Sequence, residues 1–402
     1  MYQDIVIVGA VRTPFGRFGR SLKDFDYFEL GALPIREVLT RVNVDGSQVN
    51  EVYWGVRDTS ACKDVYTPVA ARQTLLKAGL PYTTPSVAID KACVSAMSAV
   101  HYGCRAIVAR EIECAIGGGA TSFGQEPLIV RGLRWNGFRL GEIKMEDPLY
   151  ALGYKDFNPV SVDTDNVATE YGVSRQEQDE WALKSHQRYG EAWEAGKFRE
   201  EIMPLKIHSK KGDPTVLDVD EQYRPDVSLE KLSRLPPIYG CKNVTAGNAP
   251  GLNDGATAIL FMTRRKAMEL GLEPLAEIVC MCSLAIHPNR LPEGPAYAIQ
   301  RALKLAELTL AEIDVMEINE AFAAVPLVSI FLLAEKDKKR SMTIQSKTNV
   351  NGSAIAIGHP NTASGARIMM NLMYELRRRG GGYAVGAICG GLGQADACII
   401  KV

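Results

Sequence analysis

Short runs of apolar, often β-branched residues alternate with amphipathic segments in the first and last thirds of the chain. In the first third this pattern predicts strands at 5–8, 51–55, 86–89 and 114–119 and helices at 28–39 and 69–78. In the last third it predicts strands at 278–282, 314–318, 383–389 and 397–402 and helices at 295–305 and 363–378. Such alternation is typical of an α/β fold in which helices cover a sheet.

The two outer thirds repeat each other. A strand that enters a polyglycine turn occurs at 114–119 and again at 387–391, and the strand at 51–54 matches the one at 314–317. Repetition at this period indicates an internal duplication. We expect an N-terminal half at 1–120, to which residues 246–273 return, and a C-terminal half at 274–402.

The segment between the halves, residues 121–245, has a different character. It is more polar, it contains Trp135, Trp181 and Trp193, and prolines interrupt much of it. One clear amphipathic helix is predicted at 175–195, started by a capping box in which Glu177 follows Ser174 by three residues. The segment is predicted to form an inserted lobe of helices and loops that covers a site.

Cys93 lies where a predicted buried strand, 86–89, meets the start of a central helix. From Ala92 to Ala109 the one formally charged residue is Arg105, which indicates a helix buried on nearly all sides. At a helix N-terminus the pKa of a thiol falls from about 8.5 to roughly 3.5–7.5. We therefore expect Cys93 to be a reactive thiolate, the alternative being a buried thiol that acts as a small apolar residue.

Four further features are predicted at turns after buried strands, where ligands bind in α/β folds. They are Asn-Glu-Ala-Phe at 319–322, Gly-His-Pro at 358–360, Cys-Gly-Gly at 389–391 and the glycine-rich run at 247–255. Each has an ordinary alternative: a turn asparagine, a surface histidine, a core thiol, or glycines that serve tight turns. Together with Cys93 they supply two thiols, an imidazole and an amide.

The composition limits the classes of function. The 402 residues are 46% hydrophobic and 23% charged, with a formal net charge of −1, so no strong field attracts nucleic acid or an acidic membrane. No apolar run reaches the roughly eighteen residues of a membrane span. The first strand begins at Ile5, which leaves no room for a signal peptide, and nine scattered cysteines indicate a reducing compartment. We expect a cytoplasmic protein without bound metal or flavin.

Six motifs occur in order along the chain: residues 11–16, the Cys93 stretch, 245–256, 319–322, 351–365 and 389–393. As a set they resemble the thiolases, acyl-CoA acyltransferases that make or cleave 3-oxoacyl-CoA, and the resemblance spans nearly the whole chain. It implies the thiolase fold: two duplicated βαβαβαββ halves in a five-layered α-β-α-β-α arrangement, with an inserted lobe. It also implies CoA and acyl-CoA as substrates, no permanently bound cofactor, and a homodimer or tetramer.

The resemblance assigns roles position by position. Cys93 would take the acyl group as a thioester, and His359 would accept the thiol proton and then hydrogen-bond the thioester oxygen of the second substrate. Asn319 would hold a water that completes this oxyanion hole. The backbone N–H groups of Cys93 and Gly391 would form a second hole, and Cys389 would be the acid or base for the α-proton.

Further positions follow from the same resemblance. Arg224 matches the lobe position that contacts the CoA nucleotide, and Ala246 and Pro250 match positions that contact the rest of CoA. Glu320 would have a supporting hydrogen-bonding role.

The chain departs from the family pattern at several positions. Val94 and Ala96 are bulkier than usual, Pro250 replaces a serine, and Thr362 replaces a glycine, while Pro-Val-Ser at 159–161 stands in place of His-Met-Gly. That methionine normally closes the acyl pocket, so we expect a reshaped pocket for a branched, aromatic or carboxylate-bearing acyl chain. Benzoylsuccinyl-CoA thiolase, which works with a small zinc-binding partner protein, is one such specialised member.

Three alternatives remain. The first is an acetyl-CoA acetyltransferase that makes acetoacetyl-CoA. The second is a condensing enzyme of the ketoacyl synthase type, against which Asn319 and the second thiol, Cys389, argue. The third is a CoA-binding subunit without catalysis, which the departures at 94, 96, 250 and 362 keep open.

Overall fold

The computed structural model describes residue 2, residues 4–207 and residues 213–402, without the side chains of residues 136 and 151. Met1, Gln3 and the lobe residues 208–212 lie outside this description. The strands are β1 (Ile5–Arg12), β2 (Gly16–Arg17), β3 (Glu51–Gly55), β4 (Ser86–Ile89), β5 (Cys114–Thr121), β6 (Ile129–Val130), β7 (Met145–Glu146), β8 (Leu205–Ile207), β9 (Thr215–Leu217), β10 (Asn253–Thr263), β11 (Ala276–Ala285), β12 (Val315–Ile318), β13 (Tyr383–Gly390) and β14 (Gln394–Lys401).

The helices follow the predicted alternation with strands. They are α1 (Tyr27–Val42), α2 (Ala70–Ala78), α3 (Ser95–Val108), α4 (Leu133–Asn136), α5 (Val160–Glu170), α6 (Arg175–Glu194), α7 (Leu229–Ser233), α8 (Arg264–Glu269), α9 (Gly294–Ala306), α10 (Ala324–Leu333), α11 (Lys338–Ser346), α12 (Ala354–Ile357) and α13 (Ser364–Arg379).

The two halves of the central sheet share one topology, which confirms the duplication. In the N-terminal half β1–β10 and β10–β5 are antiparallel and β5–β3 is parallel. In the C-terminal half β11–β14 and β14–β13 are antiparallel and β13–β12 is parallel. Where β4 pairs with β3 in the first half, Thr348 forms a parallel bridge to Met316 in the second. The order β-α-β-α-β-α-β-β is therefore present in the first half and nearly complete in the second.

Three apolar clusters separate five layers. One cluster lies between the N-terminal strands and α1 and α2, and another lies between the C-terminal strands and α9 and α10. The third cluster is central and contains residues of α3 and α13, which pack on each other between the two halves of the sheet. β1 and β11 pair at Val6–Glu277 and Ile7–Ala276, so the halves form one continuous sheet. The fold is the expected five-layered α-β-α-β-α arrangement.

One expectation about the strands is wrong, and another holds only in part. β4 was expected to be buried, but in the described residues it is the edge of the sheet, and Val87 is 42% exposed because β4 pairs there with β3 alone. The glycine-rich run at 247–255 was expected to be a turn: residues 247–249 are a turn and bend, but residues 253–255 begin the eleven-residue central strand β10. Pairing with β1 and β5 overrides the weak strand propensity of Asn253, Asp254 and Gly255.

The segment between β5 and β10 contributes no strand to the central sheet in its described part. It forms α4 to α7 and the small hairpins β6–β7 and β8–β9. The capping box at the start of α6 is confirmed, with the Ser174 and Glu177 side chains bonded to each other's backbone N–H. The boundaries of the lobe at 121 and 245 and of the two halves stay predictions.

In the described residues, no helix is long and apolar enough to cross a membrane.

Candidate active site

A cavity of about 320 Å³ lies at the meeting point of both halves and the lobe. Seven of the eight site residues predicted from the sequence line it: Cys93, Arg224, Ala246, Pro250, His359, Cys389 and Gly391. The eighth, Asn319, is fully buried, and its near neighbours Ala321 and Phe322 belong to the cavity wall. Residues separated by almost 300 positions in the sequence are thus brought to one cavity.

Cys93 lies in a single 3₁₀ turn, Ala92–Val94, between β4 and α3. Ala92 has a positive φ of 51°, a conformation that costs energy for a residue with a Cβ. Two hydrogen bonds stabilise this conformation of Ala92. The Ala92 N–H donates to Asp90 Oδ1 (3.0 Å), and the Ala92 carbonyl accepts from Ser95 Oγ (2.6 Å). The turn is fixed by neighbouring residues, and Cys93 therefore has a defined position.

The thiol of Cys93 does not have the lowered pKa that its place at a helix start led us to expect. Burial raises the pKa to about 12, and the positive charge of Arg57 offsets this effect only in part. Removing the thiolate from water outweighs the attraction of the first N–H groups of the helix. The resting thiol is therefore neutral and needs a base.

His359 has the geometry of such a base. Its backbone N–H donates to Asn253 Oδ1 (2.9 Å), and its Nδ1 lies 2.7 Å from Ser364 Oγ. The Ser364 hydroxyl donates its one proton to the carbonyl of Pro360 (3.0 Å), so Oγ accepts from Nδ1–H. This assignment leaves Nε2 with a free lone pair, and Nε2 is buried without a hydrogen-bond partner among the described residues.

The imidazole is neutral at ordinary pH. Burial and the positive charge of Arg367 lower the pKa of His359 to about 3.

His359 was expected after a buried strand, but it lies between α12 and α13, directly after Gly358, whose φ of 112° suits glycine. The 247–255 run likewise leads into a strand, β10, and does not follow one.

Cys389 is the second-last residue of β13, where the strand approaches the Cys93 turn. Burial, and the nearby Cys93 sulfur when charged, raise the pKa of the Cys389 thiol. The two thiols are therefore close enough to affect each other and are both protonated at rest. Such a pair offers one sulfur for attack and one S–H as a proton donor.

Gly391 has no room for a side chain. A Cβ built there would lie 1.9 Å from Tyr154 Oη and 2.5 Å from Tyr154 Cζ. The Tyr154 ring thus packs against the backbone that carries the Gly391 N–H. Tyr154 also lines the cavity, and its phenol has a pKa raised by burial and by the charge of Cys93.

Asn319 follows β12, and its N–H donates to the carbonyl of Ala387 on β13 (3.0 Å). Both polar atoms of its side chain are buried without a hydrogen-bond partner among the described residues. Buried amides are normally satisfied, by protein groups or by ordered water. This free amide is therefore suited to hold a water or a substrate oxygen.

Glu320, next in the chain, has the supporting role expected of it. Its carboxylate accepts hydrogen bonds from four donors: Trp181 Nε1 (2.8 Å), Asn349 Nδ2 (2.9 Å), Ser185 Oγ (2.7 Å) and the Ile355 N–H (3.1 Å). Two of these donors lie on α6 of the lobe. The carboxylate therefore fixes the lobe to the C-terminal half beside Asn319.

The cavity wall also contains the three residues expected to contact CoA, Arg224, Ala246 and Pro250. Arg224 is half-buried, and its backbone N–H donates to His186 Nδ1 (3.3 Å). Pro250 has no N–H to donate, so the position of the usual serine is a purely apolar contact here. Ala246 and Pro250 face the cavity together with Tyr239.

Sequence reasoning missed several wall residues. Leu149, Leu152 and Tyr154 come from an irregular stretch of the lobe that carries no periodic pattern, and Leu291 comes from a 3₁₀ segment before α9. No local signal distinguishes them, because their place in the wall depends on how the lobe folds back over the sheet.

The fold and the cavity define an α/β enzyme of the acyl-transfer class. Two family models together match nearly the whole chain: the thiolase N-terminal domain over residues 5–265 and the thiolase C-terminal domain over residues 272–402. The acetyl-CoA acetyltransferase of Cupriavidus necator is 41% identical over 400 residues, which cover 98% of each chain. The β-ketoadipyl-CoA thiolase of Pseudomonas aeruginosa is 39% identical over 413 residues, which cover 100% of each chain.

A solved structure agrees with these matches. The crystal structure of human mitochondrial 3-ketoacyl-CoA thiolase in complex with CoA superposes with a TM-score of 0.92 at 38% identity, covering 100% of this chain and 98% of that one. The chain belongs to the thiolase family. It is a thiolase-type acyltransferase that uses CoA thioesters as substrates and has no permanently bound cofactor.

Proposed function

We propose that the chain is a 3-oxoacyl-CoA thiolase that works through an acyl-enzyme on Cys93. The observation that carries the proposal is the convergence of Cys93, His359, Cys389 and Gly391 on one cavity. The reaction breaks a carbon–carbon bond and forms a thioester, and each of these residues has a defined role in it. The same steps in reverse form a 3-oxoacyl-CoA by Claisen condensation.

In the first half-reaction the Cys93 thiol gives its proton to His359 Nε2, and the sulfur attacks the 3-keto carbon of the substrate. The bond between C2 and C3 then breaks, and C2 takes a proton from the Cys389 thiol as acetyl-CoA leaves. The N–H groups of Cys93 and Gly391 stabilise the negative oxygen on C3. His359 and a water held by Asn319 stabilise the thioester oxygen of the leaving group.

In the second half-reaction a CoA thiol loses its proton to Cys389 and attacks the acyl-Cys93 thioester. Cys93 leaves as a thiolate and recovers its proton from His359. The new product is an acyl-CoA shorter by two carbons. Because both sulfurs and the imidazole return to their neutral forms, the cycle closes without a metal or redox cofactor.

We further propose that the acyl chain is branched, aromatic or carboxylate-bearing. Val160 stands at the sequence position of the family's pocket-closing methionine, lines the cavity, and has a smaller side chain than methionine. Cleavage rates over a panel of 3-oxoacyl-CoA esters test this point. Fastest turnover of acetoacetyl-CoA would contradict it and favour the acetyl-CoA acetyltransferase alternative.

The acyl-enzyme itself is tested by intact-mass measurement after mixing with acyl-CoA esters. We expect one acyl adduct per chain, mapped to Cys93 and absent in Cys93→Ser. Cys389→Ala should still form the adduct but should not catalyse condensation. A chain that binds CoA without any adduct would be a non-catalytic relative, and condensation by Cys389→Ala would remove Cys389 from its assigned role.

We infer that the chain forms a homodimer or a tetramer. The edge strand β4 leaves backbone groups unpaired, and Val87 on it and Tyr82 and Tyr102 nearby are exposed. Sedimentation equilibrium of the wild type and of Val87→Lys tests this, with a shift toward monomer expected for the variant. A monomeric wild type would contradict the inference.

A small zinc-binding partner stays a prediction. No group of three or more His, Cys, Asp or Glu side chains in the described residues is placed to hold a metal ion, so such a zinc would belong to the partner. We also infer a cytoplasmic, reducing location, because the nine cysteines are free thiols and seven of them are buried in apolar clusters. Copurification from the native source, with zinc analysis of the eluate, tests the partner.

A further inference from the structure

A second cavity of about 220 Å³ adjoins the catalytic one. The two cavities share Leu152, Tyr154 and Asn361, and Ala92, the residue before Cys93, lines the second. The second cavity therefore borders the Cys93 turn at Ala92 and shares the wall formed by Tyr154 and Asn361 with the catalytic cavity. Arg57, Asp58 and Asp90 also line it, so its far side is polar and charged.

Arg57 contacts an aromatic ring and one carboxylate but donates few hydrogen bonds in the described residues. Its guanidinium stacks over the Phe123 ring at 5.3 Å from the ring centroid, and Nη1 lies 3.1 Å from Glu126 Oε2. The one hydrogen bond it donates within the described residues is long, 3.5 Å from Nη2 to the Pro148 carbonyl. Nη1 is buried without hydrogen-bond geometry to any described acceptor. A guanidinium has five N–H donors, so most of its capacity is free.

Of the three carboxylates near Arg57, Glu126 pairs with Nη1 and occupies part of that capacity, whereas Asp58 and Asp90 form no ion pair with Arg57 in the described residues. Asp58 Oδ1 accepts from the N–H and the hydroxyl of Ser60 at 2.8 and 2.6 Å, and Asp90 Oδ1 accepts from the Ala92 N–H. Glu126 is buried beside Asp58, and burial and this neighbour raise its pKa to about 7. Glu126 is thus able to take up a proton when another anion approaches Arg57, which keeps the net charge of the group unchanged.

We propose, resting on the thiolase function above, that the second cavity receives the far end of an acyl chain that terminates in a carboxylate, and that Arg57 binds this carboxylate. A planar guanidinium with unfilled donors suits a two-point contact with a carboxylate. Tyr154 and Asn361 line both cavities and have side-chain polar groups that could contact the same end of the substrate. Arg57 is therefore a specificity residue, remote from bond cleavage itself.

Two substrates of equal length test this proposal. 3-Oxoadipyl-CoA and 3-oxohexanoyl-CoA both have six-carbon acyl chains and differ in the last group, a carboxylate or a methyl. We expect kcat/KM for 3-oxoadipyl-CoA to be about 10- to 100-fold higher in the wild type, because a site built for a polar group discriminates strongly against its absence. Arg57→Met should abolish the preference. Measurable turnover of 3-oxohexanoyl-CoA, reduced because the loss of the Arg57 charge raises the pKa of Cys93 further, shows that the variant folds.

Arg57→Lys keeps the positive charge but loses the paired N–H donors of the guanidinium, and it should retain part of the preference. Arg36→Met removes an exposed arginine on α1 and should leave the preference unchanged. A higher kcat/KM for 3-oxohexanoyl-CoA in the wild type, or a preference that survives Arg57→Met, would overturn the proposal while the thiolase function stands. Equal use of the monomethyl ester of 3-oxoadipyl-CoA would also overturn it, since the group recognised would then be neutral. Failure to cleave any 3-oxoacyl-CoA would contradict both the thiolase function and the proposed role of Arg57.

Discussion

The ammonium of Lys91 lies 2.9 Å from Oδ1 of Asp396, and this ion pair joins the Cys93 turn to β14 of the other half. Lys91 Nζ also donates to Ser98 Oγ and Ser283 Oγ, each at 2.8 Å. The Asp396 side chain is fully buried, and Ser98 donates to its other oxygen. The position of Cys93 thus depends on a charge from the opposite half of the duplication.

Lys91→Met should therefore leave a buried carboxylate without its cation. We expect the free energy of unfolding to fall by about 3–5 kcal/mol, because breaking one side of a buried ion pair strands the other charge. Denaturant unfolding measures this. Adding Asp396→Leu should recover part of the loss, whereas Lys63→Met, which removes a surface pair with Glu29, should cost under about 1 kcal/mol. Equal losses for Lys91→Met and Lys63→Met would contradict the prediction.

The raised pKa of Cys93 predicts how its alkylation depends on pH. With a pKa of about 12, the thiolate fraction grows as pH rises, so the rate of modification by iodoacetamide should increase about tenfold per unit between pH 7 and 10. Peptide mapping of the labelled residue measures this rate for Cys93 itself. A plateau below pH 8 would show that the helix start lowers the pKa after all.

Ser364 should orient His359. In Ser364→Ala, Nδ1–H loses its acceptor, the ring is free to adopt the other tautomer, and kcat/KM should fall by about 10- to 100-fold. The pH profile of kcat/KM should shift as well, which a purely structural loss would not cause. Ser364→Thr keeps the hydroxyl and serves as the matched control. An unchanged profile in Ser364→Ala would show that Nδ1 needs no partner.

Gly391→Ala should displace either Tyr154 or the Gly391 backbone, because the new Cβ would meet Tyr154 Oη at 1.9 Å. If the Gly391 N–H moves away from the oxyanion, the rate should fall by about 10²–10³. The double variant Gly391→Ala with Tyr154→Ala relieves the clash and should regain much of this loss. Steady-state kinetics measures both variants. No recovery in the double variant would mean that the backbone conformation, and not Tyr154, excludes a side chain.

The sequence by itself determined the order of strands and helices, the duplication, and the residue types of the site. Local signals suffice for these features: the capping box fixes the start of α6 at Arg175, and β-branched runs give β3 and β4 their observed limits. The resemblance identified Cys93, His359 and Cys389, which line the cavity.

The tertiary structure alone decided which of these local signals prevailed. β10 is a strand because β1 and β5 pair with it on both sides, although its first residues favour a turn. The pKa of Cys93 rises because the lobe and the C-terminal half bury the thiol, and this desolvation exceeds the local effect of the helix start. Arg57 and Tyr154 join the site through loops without any sequence period, since their place depends on contacts between segments distant in the chain. Propensity acts over a few residues, whereas burial and pairing are properties of the assembled fold.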